Sequence, residues 1–384
     1  MPYIYFYIAI ALLFGFVSGI LLGKRLTPKH IKKAKESQIA FLTGFRYMLS
    51  NEPDRAIESF MRAVRFDTDT IETYFALANL FRDKGEIERA IRIHQSIITR
   101  PHLDANIRLQ ALYDLALDYK KGGFLDRAIN TFREVIRRAP HKKEAYLELA
   151  EVYQTLKDWE AAFKVIEKLA KIFKEDYSLM LAHFQTEMGK KLQAEGEKDK
   201  AEDHYKKAIK INEKCVDAYL HLGDLYFERG DVKKAIKTWT KAISVSPEYS
   251  FLAFGRLEKY LSEIKGQKVF RKFISELEKA PEHNIFAAIF LARYYLSEKK
   301  LNGARECLLA ALEKTPSHIV AQQLLAQTYL EEGNTEKAIE VLEQISKEAF
   351  PQNIYQCTYC GYEATELSWK CPQCQKWDTM QPKI

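Results

Sequence analysis

The chain has 384 residues, of which 47% are hydrophobic and 29% charged, and its formal net charge is +7. This length allows two or three ordinary domains or one elongated array of repeats. The aromatic content of 12% argues against wholesale disorder, and six cysteines are too few for a disulfide scaffold. A positive net charge indicates nucleic-acid binding only if the basic residues cluster on a surface that can present them.

The first segment predicts a membrane anchor. Residues 2–23 are 22 consecutive uncharged residues, rich in Ile, Leu, Phe, Tyr and Ala. As a helix they would span about 33 Å, enough for a bilayer core of about 30 Å. A cleaved signal peptide would have positive charge ahead of its apolar run, but no charged residue precedes this one. Lys24 and Arg25 follow it directly. We therefore expect an uncleaved, single-pass anchor.

A basic cluster follows the predicted anchor. It consists of Lys24, Arg25, Lys29, Lys32, Lys33 and Lys35, with no acidic residue before Glu36. These six charges leave only +1 for the remaining 349 residues. Basic residues beside a membrane span remain in the cytoplasm, so the cluster predicts a cytoplasmic location for the bulk of the chain. The surplus charge therefore indicates membrane orientation, and we expect no nucleic acid as a partner.

The middle of the chain repeats with a period near 34 residues. One copy reads Tyr219-x2-Leu222-Gly223-x2-Tyr226, followed by Ala235-x3-Trp239 and a proline, which is the pattern of a tetratricopeptide repeat. Nine positions mark the copies: Ala56, Ala90, Ala128, Ala161, Ala201, Ala235, Val269, Ala304 and Ala338. The sequence predicts an all-α superhelical solenoid of about nine helix pairs. The 40-residue step after Ala161 suggests a division into two stacks.

Recurring residue types fit the packing of such pairs. A small residue lies twelve positions before most markers, where two helices must approach closely, and glycines five positions before them suit the turn within a repeat. The nine histidines show no metal-ligand spacing, so each is interpreted as a lone polar or core residue.

The solenoid predicts a groove that binds a protein partner, because the first helices of stacked repeats line one surface. On the second and third repeats the residues expected on this surface are Phe75, Asn79, Arg82, Tyr113, Leu117 and Lys120. Ordinary solvated or packing positions are the alternative interpretation of these six residues.

The end of the chain carries two C-x2-C pairs. They are Cys357 with Cys360 and Cys371 with Cys374, separated by ten residues. Four thiolates at this spacing can surround one metal ion tetrahedrally and leave no position for water or substrate, so the site predicts a structural metal and no catalysis. Zinc and iron both accept such a site, and the choice stays open. About 30 residues cannot bury a sufficient core, so the metal should stabilise this segment. We expect the aromatic residues of the segment either to cover the metal site or to dock it on the last repeat.

The ordered combination of anchor, repeats and C-x2-C-G-Y with C-P-x-C resembles the lipopolysaccharide assembly protein B family over the whole chain. The resemblance implies a cell inner-membrane protein of a Gram-negative bacterium with a rubredoxin-like metal-binding domain. Its four metal cysteines match Cys357, Cys360, Cys371 and Cys374. One departure is Gln375, where a second rubredoxin knuckle usually carries glycine, and another is the short gap between the knuckles.

The same resemblance implies a non-enzymatic regulatory adaptor. Such an adaptor promotes proteolysis of the deacetylase that commits lipid A synthesis, by a membrane-anchored AAA+ protease, and contacts lipopolysaccharide assembly or transport machinery. An envelope-assembly scaffold without a proteolytic role is the nearest alternative, followed by a redox protein and a nucleic-acid-binding zinc ribbon. A homo-oligomer is left open. The expected segments are the anchor (1–23), a basic juxtamembrane segment (24–36), the solenoid (37–350) and the metal-binding domain (351–384).

Overall fold

The computed structural model describes residues 35–50, 52–66, 71–279, 284–347 and 354–383. The predicted anchor and all of the basic cluster except Lys35 lie outside these ranges. Among the described helices, none combines the length and the apolar character needed to span a membrane. The anchor therefore stays a prediction.

The described residues contain helix pairs that follow the predicted repeat, and their contacts divide the chain into two compact units, Met1–Asp158 and Trp159–Ile384. The helices of the first unit are α1 (35–49), α2 (Pro53–Phe66), α3 (Ile71–Asp83), α4 (Ile87–Ile98), α5 (Ala105–Lys121), α6 (Leu125–Arg138) and α7 (Lys143–Thr155). The prediction of two stacks is confirmed, but the division lies ahead of residue 159 and not in the 40-residue step.

The second unit contains the remaining helices and a small sheet. Its helices are α8 (Trp159–Phe173), α9 (Ser178–Ala194), α10 (Lys198–Ile211), α11 (Val216–Glu228), α12 (Val232–Val245), a 3-10 turn (Pro247–Tyr249), α13 (Ser250–Lys259), α14 (Leu261–Ile264), α15 (Lys268–Leu277), α16 (Ile285–Ser297), α17 (Leu301–Lys314), α18 (Ile319–Glu331) and α19 (Thr335–Lys347). The strands are β1 (Tyr355–Cys357), β2 (Glu363–Ala364) and β3 (Met380–Pro382). They form an antiparallel sheet in the order β2-β1-β3.

In most pairs the second helix buries a row of residues spaced four and three apart. In α6 this row is Ala128, Phe132 and Val135, all fully buried. The facing first helix must then come close. At Gly223 an added Cβ would lie 2.3 Å from the Trp239 ring, so no larger residue fits. The predicted role of the small residues is confirmed here.

Two repeats have a register one residue later than the sequence pattern suggested. In the fourth, Ala162 is fully buried while Ala161 is partly exposed, and Lys157 adopts the left-handed conformation (φ 56°) that glycine has in other copies. In the seventh, Phe270 takes the buried position in place of Val269. Burial against the neighbouring helix, which the period alone cannot resolve to one residue, decides the register.

Candidate metal centre

The small sheet and two tight turns place the four predicted cysteines. Cys357 ends β1, and the chain then reverses so that Gly361 N–H donates to the Cys357 carbonyl at 2.9 Å. The second turn repeats this geometry, since Gln375 N–H donates to the Cys371 carbonyl at 2.9 Å. Each turn therefore brings the two sulfurs of one C-x2-C pair to the same side.

The four sulfurs lie at the corners of a site for one ion. The Cys357 and Cys374 sulfurs are 3.7 Å apart, those of Cys360 and Cys371 are 3.8 Å apart, and all four lie within 4.8 Å of one another. A tetrahedral ion with metal–sulfur bonds of about 2.3 Å requires sulfur–sulfur distances of about 3.8 Å. The arrangement therefore fits one metal ion, as predicted for these four residues.

The pKa values of two of the four thiols are shifted in opposite directions. Burial alone would raise the pKa of Cys357, but its hydrogen bond with Thr379 and hydrogen bonds with the backbone lower it to about 6. The N–H of Tyr362 lowers the pKa of Cys360, whereas burial and hydrogen bonding among the cysteine sulfurs raise it, to about 12. A bound metal ion removes this conflict, because it favours the thiolate at every ligand.

The site has a closed coordination sphere. Cys357 and Cys371 are buried, Cys360 and Cys374 are partly exposed, and Met380 is fully buried against them. Four protein thiolates leave no open position for a substrate, so the ion would supply structural stability to the ribbon (354–383). Geometry does not distinguish zinc from iron.

The departure at Gln375 does not change the backbone. Gln375 has φ 60°, and Gly361, its counterpart in the first turn, has φ 75°. Both turns therefore use the left-handed conformation, which glycine adopts without strain and glutamine does not. The Gln375 amide donates to the Pro372 carbonyl at 2.7 Å within the same turn.

Gly361→Ala should weaken metal binding about fivefold, because the left-handed conformation costs a residue with a Cβ at least ~1 kcal/mol. No atom lies within 4 Å of the added Cβ, so sterics contribute nothing further. Competition with a chromophoric chelator measures the affinity. Gln375→Ala is the matched control and should change affinity little, since a Cβ is already present there; an equal loss in both variants would contradict the backbone explanation.

The ribbon packs against the middle repeats of the second unit, whereas one of the two arrangements expected from the sequence placed it on the last repeat. His183 of α9 contacts Asp378 through its Nε2, 2.8 Å from the carboxylate. Tyr249 of the 3-10 turn donates from its hydroxyl to the Asp378 carbonyl at 2.9 Å. Asp378 therefore joins the ribbon to two separate repeats.

Aromatic rings fill the same junction. His183 stacks on Trp377 with ring centroids 4.5 Å apart, and Trp369 lies 5.7 Å from His183 and 5.2 Å from Tyr249. Phe184 meets Trp377 edge-on at 6.1 Å. The tryptophans of the ribbon thus bury their faces on α9 and the 3-10 turn, which gives the ribbon an apolar base that it cannot build alone.

The buried carboxylate of Asp217 lies on the side of the His183 ring opposite Asp378. Asp217 lies 4.0 Å from His183 Nδ1 and accepts an ion pair from Lys190 at 2.7 Å. Burial opposes ionisation of Asp217, but the hydrogen bond from His221 and the positive charge of Lys190 hold its pKa well below the usual range. The permanent negative charge fixes the ring between two carboxylates, those of Asp217 and Asp378.

Sequence reasoning missed His183, Tyr249 and Asp378. His183 and Asp378 are 195 positions apart, and no motif links them. His183 was interpreted as a lone polar or core residue, and it is buried. Only the fold brings its second nitrogen to the ribbon, so no spacing rule could have found the contact.

The six predicted groove residues lie on α3 (Phe75, Asn79, Arg82) and α5 (Tyr113, Leu117, Lys120), and all are half-buried. Arg82 donates to Asn79 at 2.7 Å and to Asp118 at 3.1 Å, while Lys120 pairs with Glu148 at 2.6 Å. Their charged groups are thus engaged within the chain. Partner binding at this surface remains a prediction.

Cys215 and Cys307 should resist alkylation in the folded protein. Burial raises the pKa of each thiol to about 12, which lowers the thiolate fraction at pH 8 by more than about a thousandfold relative to an ordinary cysteine. Iodoacetamide labelling followed by peptide mass analysis should modify neither residue until urea is added. Rapid labelling of either one without denaturant would contradict their assignment as packing residues.

Together, the paired helices and the four clustered sulfurs define a tetratricopeptide-repeat protein with a rubredoxin-type metal ribbon. Family comparison agrees: the Rubredoxin metal binding domain family matches residues 355–382. Tetratricopeptide repeat families match residues 73–105, 113–176, 192–245 and 295–356.

Among curated proteins, the chain is similar over nearly its whole length to lipopolysaccharide assembly protein B. The protein of Escherichia coli strain K12 is 27% identical over 95% of this chain and 94% of its own. That of Haemophilus influenzae is 28% identical over 89% of both chains. The resemblance predicted from the sequence is confirmed. Among solved structures, the tetratricopeptide-repeat protein YrrB is 21% identical, covering 53% of this chain and 99% of its own, with a TM-score of 0.34.

Proposed function

We propose that this protein is a non-enzymatic inner-membrane adaptor that controls lipopolysaccharide biosynthesis. In this role it binds the deacetylase of the lipid A pathway and promotes its proteolysis by a membrane-anchored AAA+ protease. The observation that carries the proposal is the similarity to lipopolysaccharide assembly protein B over 95% of the chain. The similarity extends across both the repeats and the metal ribbon.

The architecture supports an adaptor over an enzyme. Stacked helix pairs present extended surfaces that bind other proteins. The metal site found among the described residues would be closed by its four cysteines, which suits a structural ion and leaves no place for a substrate. The ribbon, docked on α9 and the 3-10 turn, adds a surface beside the repeats.

The membrane location rests on the sequence. The apolar run 2–23 followed by six basic residues predicts a single-pass anchor with the repeats in the cytoplasm. An anchor would confine the adaptor to the surface where a membrane protease acts, raising its effective concentration there. The predicted segments 1–23, 24–36, 37–350 and 351–384 are part of this proposal.

The test is the lifetime of the deacetylase in cells of the source bacterium. Depleting the protein should prolong that lifetime, and the wild-type chain should restore rapid turnover. A variant with Cys371→Ser and Cys374→Ser should fail to restore it, whereas Gln373→Ser, an exposed neighbour, should succeed. Unchanged turnover on depletion, together with defective lipopolysaccharide export, would favour an assembly scaffold without a proteolytic role.

The relatives are named for lipopolysaccharide assembly, which favours an assembly scaffold as the second candidate function. Co-purification from membranes distinguishes the two functions by the partner recovered. An adaptor should recover the protease and the deacetylase, and a scaffold should recover lipopolysaccharide assembly or transport components. Metal analysis of the same preparation identifies zinc or iron, and a colourless zinc protein would end the redox alternative.

A further inference from the structure

The first helix of the array presents an unpartnered apolar face. In α1 the large side chains of Ile39, Leu42, Phe45 and Leu49 are 59%, 60%, 45% and 75% exposed. The opposite face packs on the following helix, where Ser37 donates to the Ala63 carbonyl and an added Cβ at Gly44 would lie 2.8 Å from Phe60. The helix is thus anchored on one side and apolar on the other.

The charges on this exposed face all have one sign. At three- and four-residue spacing, Lys35 and Arg46 lie along the same side of the helix as Ile39, Leu42 and Leu49. Glu36, the one acidic residue of α1, is partly buried and lies about 100° around the helix from Lys35, off this face. Arg46 lies over the Tyr47 ring at 5.4 Å, and neither Lys35 nor Arg46 forms an ion pair with a described residue. An apolar face flanked by cations without a carboxylate partner among the described residues is typical of a helix that lies in a membrane interface.

The composition of the chain just ahead of α1 offers few apolar side chains that could cover this face. Residues 24–34 contain five basic residues, one proline and only two large aliphatic residues, Leu26 and Ile31. Residues 2–23 are the predicted anchor. At no more than about 3.6 Å per residue, the 11 residues between them keep α1 within about 40 Å of the end of that anchor.

A second copy of the chain fits this face less well than a lipid surface. Pairing two α1 helices would bring together two clusters of six basic residues and no acidic ones, which repel each other. An anionic bilayer surface attracts both the basic cluster and the cations of α1.

We propose that α1 lies on the cytoplasmic surface of the membrane, with its apolar face buried at the boundary between headgroups and acyl chains and its cations beside anionic headgroups. This inference rests on the membrane location in the proposed function, since the anchor delivers α1 to the bilayer. The position of the first repeat would then be fixed at the membrane surface.

Photocrosslinking of the full chain in vesicles tests this inference. Benzoylphenylalanine replaces Leu42 or Leu49, and Asn130, an exposed residue of α6, serves as the control site. In vesicles of phosphatidylcholine with phosphatidylglycerol, lipid adducts should form at 42 and 49 at least about ten times more than at 130. Changing Lys35→Gln and Arg46→Gln should lower the yield by up to about 30-fold, since each cation contributes about fivefold.

Carbonate extraction separates this test from the proposed function. If carbonate releases the chain, the anchor and the membrane location fail. If the chain is retained but residues 42 and 49 give no lipid adduct, or crosslink to a second copy, the interfacial position of α1 is overturned while the anchor stands. Equal adduct yields with and without phosphatidylglycerol would overturn the role of the anionic headgroup.

Discussion

Replacing Cys371 and Cys374 with serine should abolish metal binding and unfold the ribbon while the repeats stay folded. The ribbon has three strands of two or three residues and buries few side chains of its own, so the metal supplies most of its stability. A structural zinc ion contributes about 10–16 kcal/mol to small domains of this kind at neutral pH. Metal analysis, limited proteolysis of residues 354–383 and far-ultraviolet circular dichroism of the helices measure the three effects.

The control for this experiment is Gln373→Ser, which lies between the two ligands and is exposed. It should keep the metal and the protease resistance of the ribbon. A double serine variant that retained one metal ion per chain would contradict the four-cysteine site. Loss of the helical signal would show that the repeats depend on the ribbon, contrary to the separate packing of their helices.

His183→Ala should release the ribbon from α9 without releasing the metal. The substitution removes the ring that stacks on Trp377 and leaves the Asp378 carboxylate, with a side chain only 14% exposed, without its partner. Leaving a buried acceptor without its hydrogen-bond partner costs about 1–3 kcal/mol, and more for a charged group. Because the stacking on Trp377 is lost as well, we expect about 3 kcal/mol. Hydrogen exchange in 354–383 and in α9 should rise while the metal content stays constant.

His221→Ala is the matched control for the docking prediction. His221 contacts the same Asp217 at 3.3 Å but is itself not part of the ribbon junction. Because Lys190 still pairs with Asp217 at 2.7 Å, this variant should leave hydrogen exchange in the ribbon nearly unchanged. If both variants loosened the ribbon equally, stability of the repeat and not the His183–Asp378 contact would explain the effect.

The repeat fold and the four-cysteine metal site could be predicted from the sequence because both depend on local spacing. Helix pairs of constant length place packing residues at a constant period, and two C-x2-C turns bring four sulfurs to one ion regardless of the surrounding fold. The register of the fourth and seventh repeats was not readable. There Lys157 and Phe270 take the places of the usual glycine and alanine, and only burial shows which residue faces the core.

By itself, the sequence determined the repeat fold, the four metal ligands and an apolar, basic first segment, because each is a pattern among near neighbours in the chain. Only the tertiary structure decided where the ribbon docks. That contact joins residues 195 positions apart through one histidine, a carboxylate and stacked rings. Such a junction depends on the complementary shapes of the two surfaces and on hydrogen bonds to buried polar groups. Neither requirement produces a regular spacing of residues in the sequence.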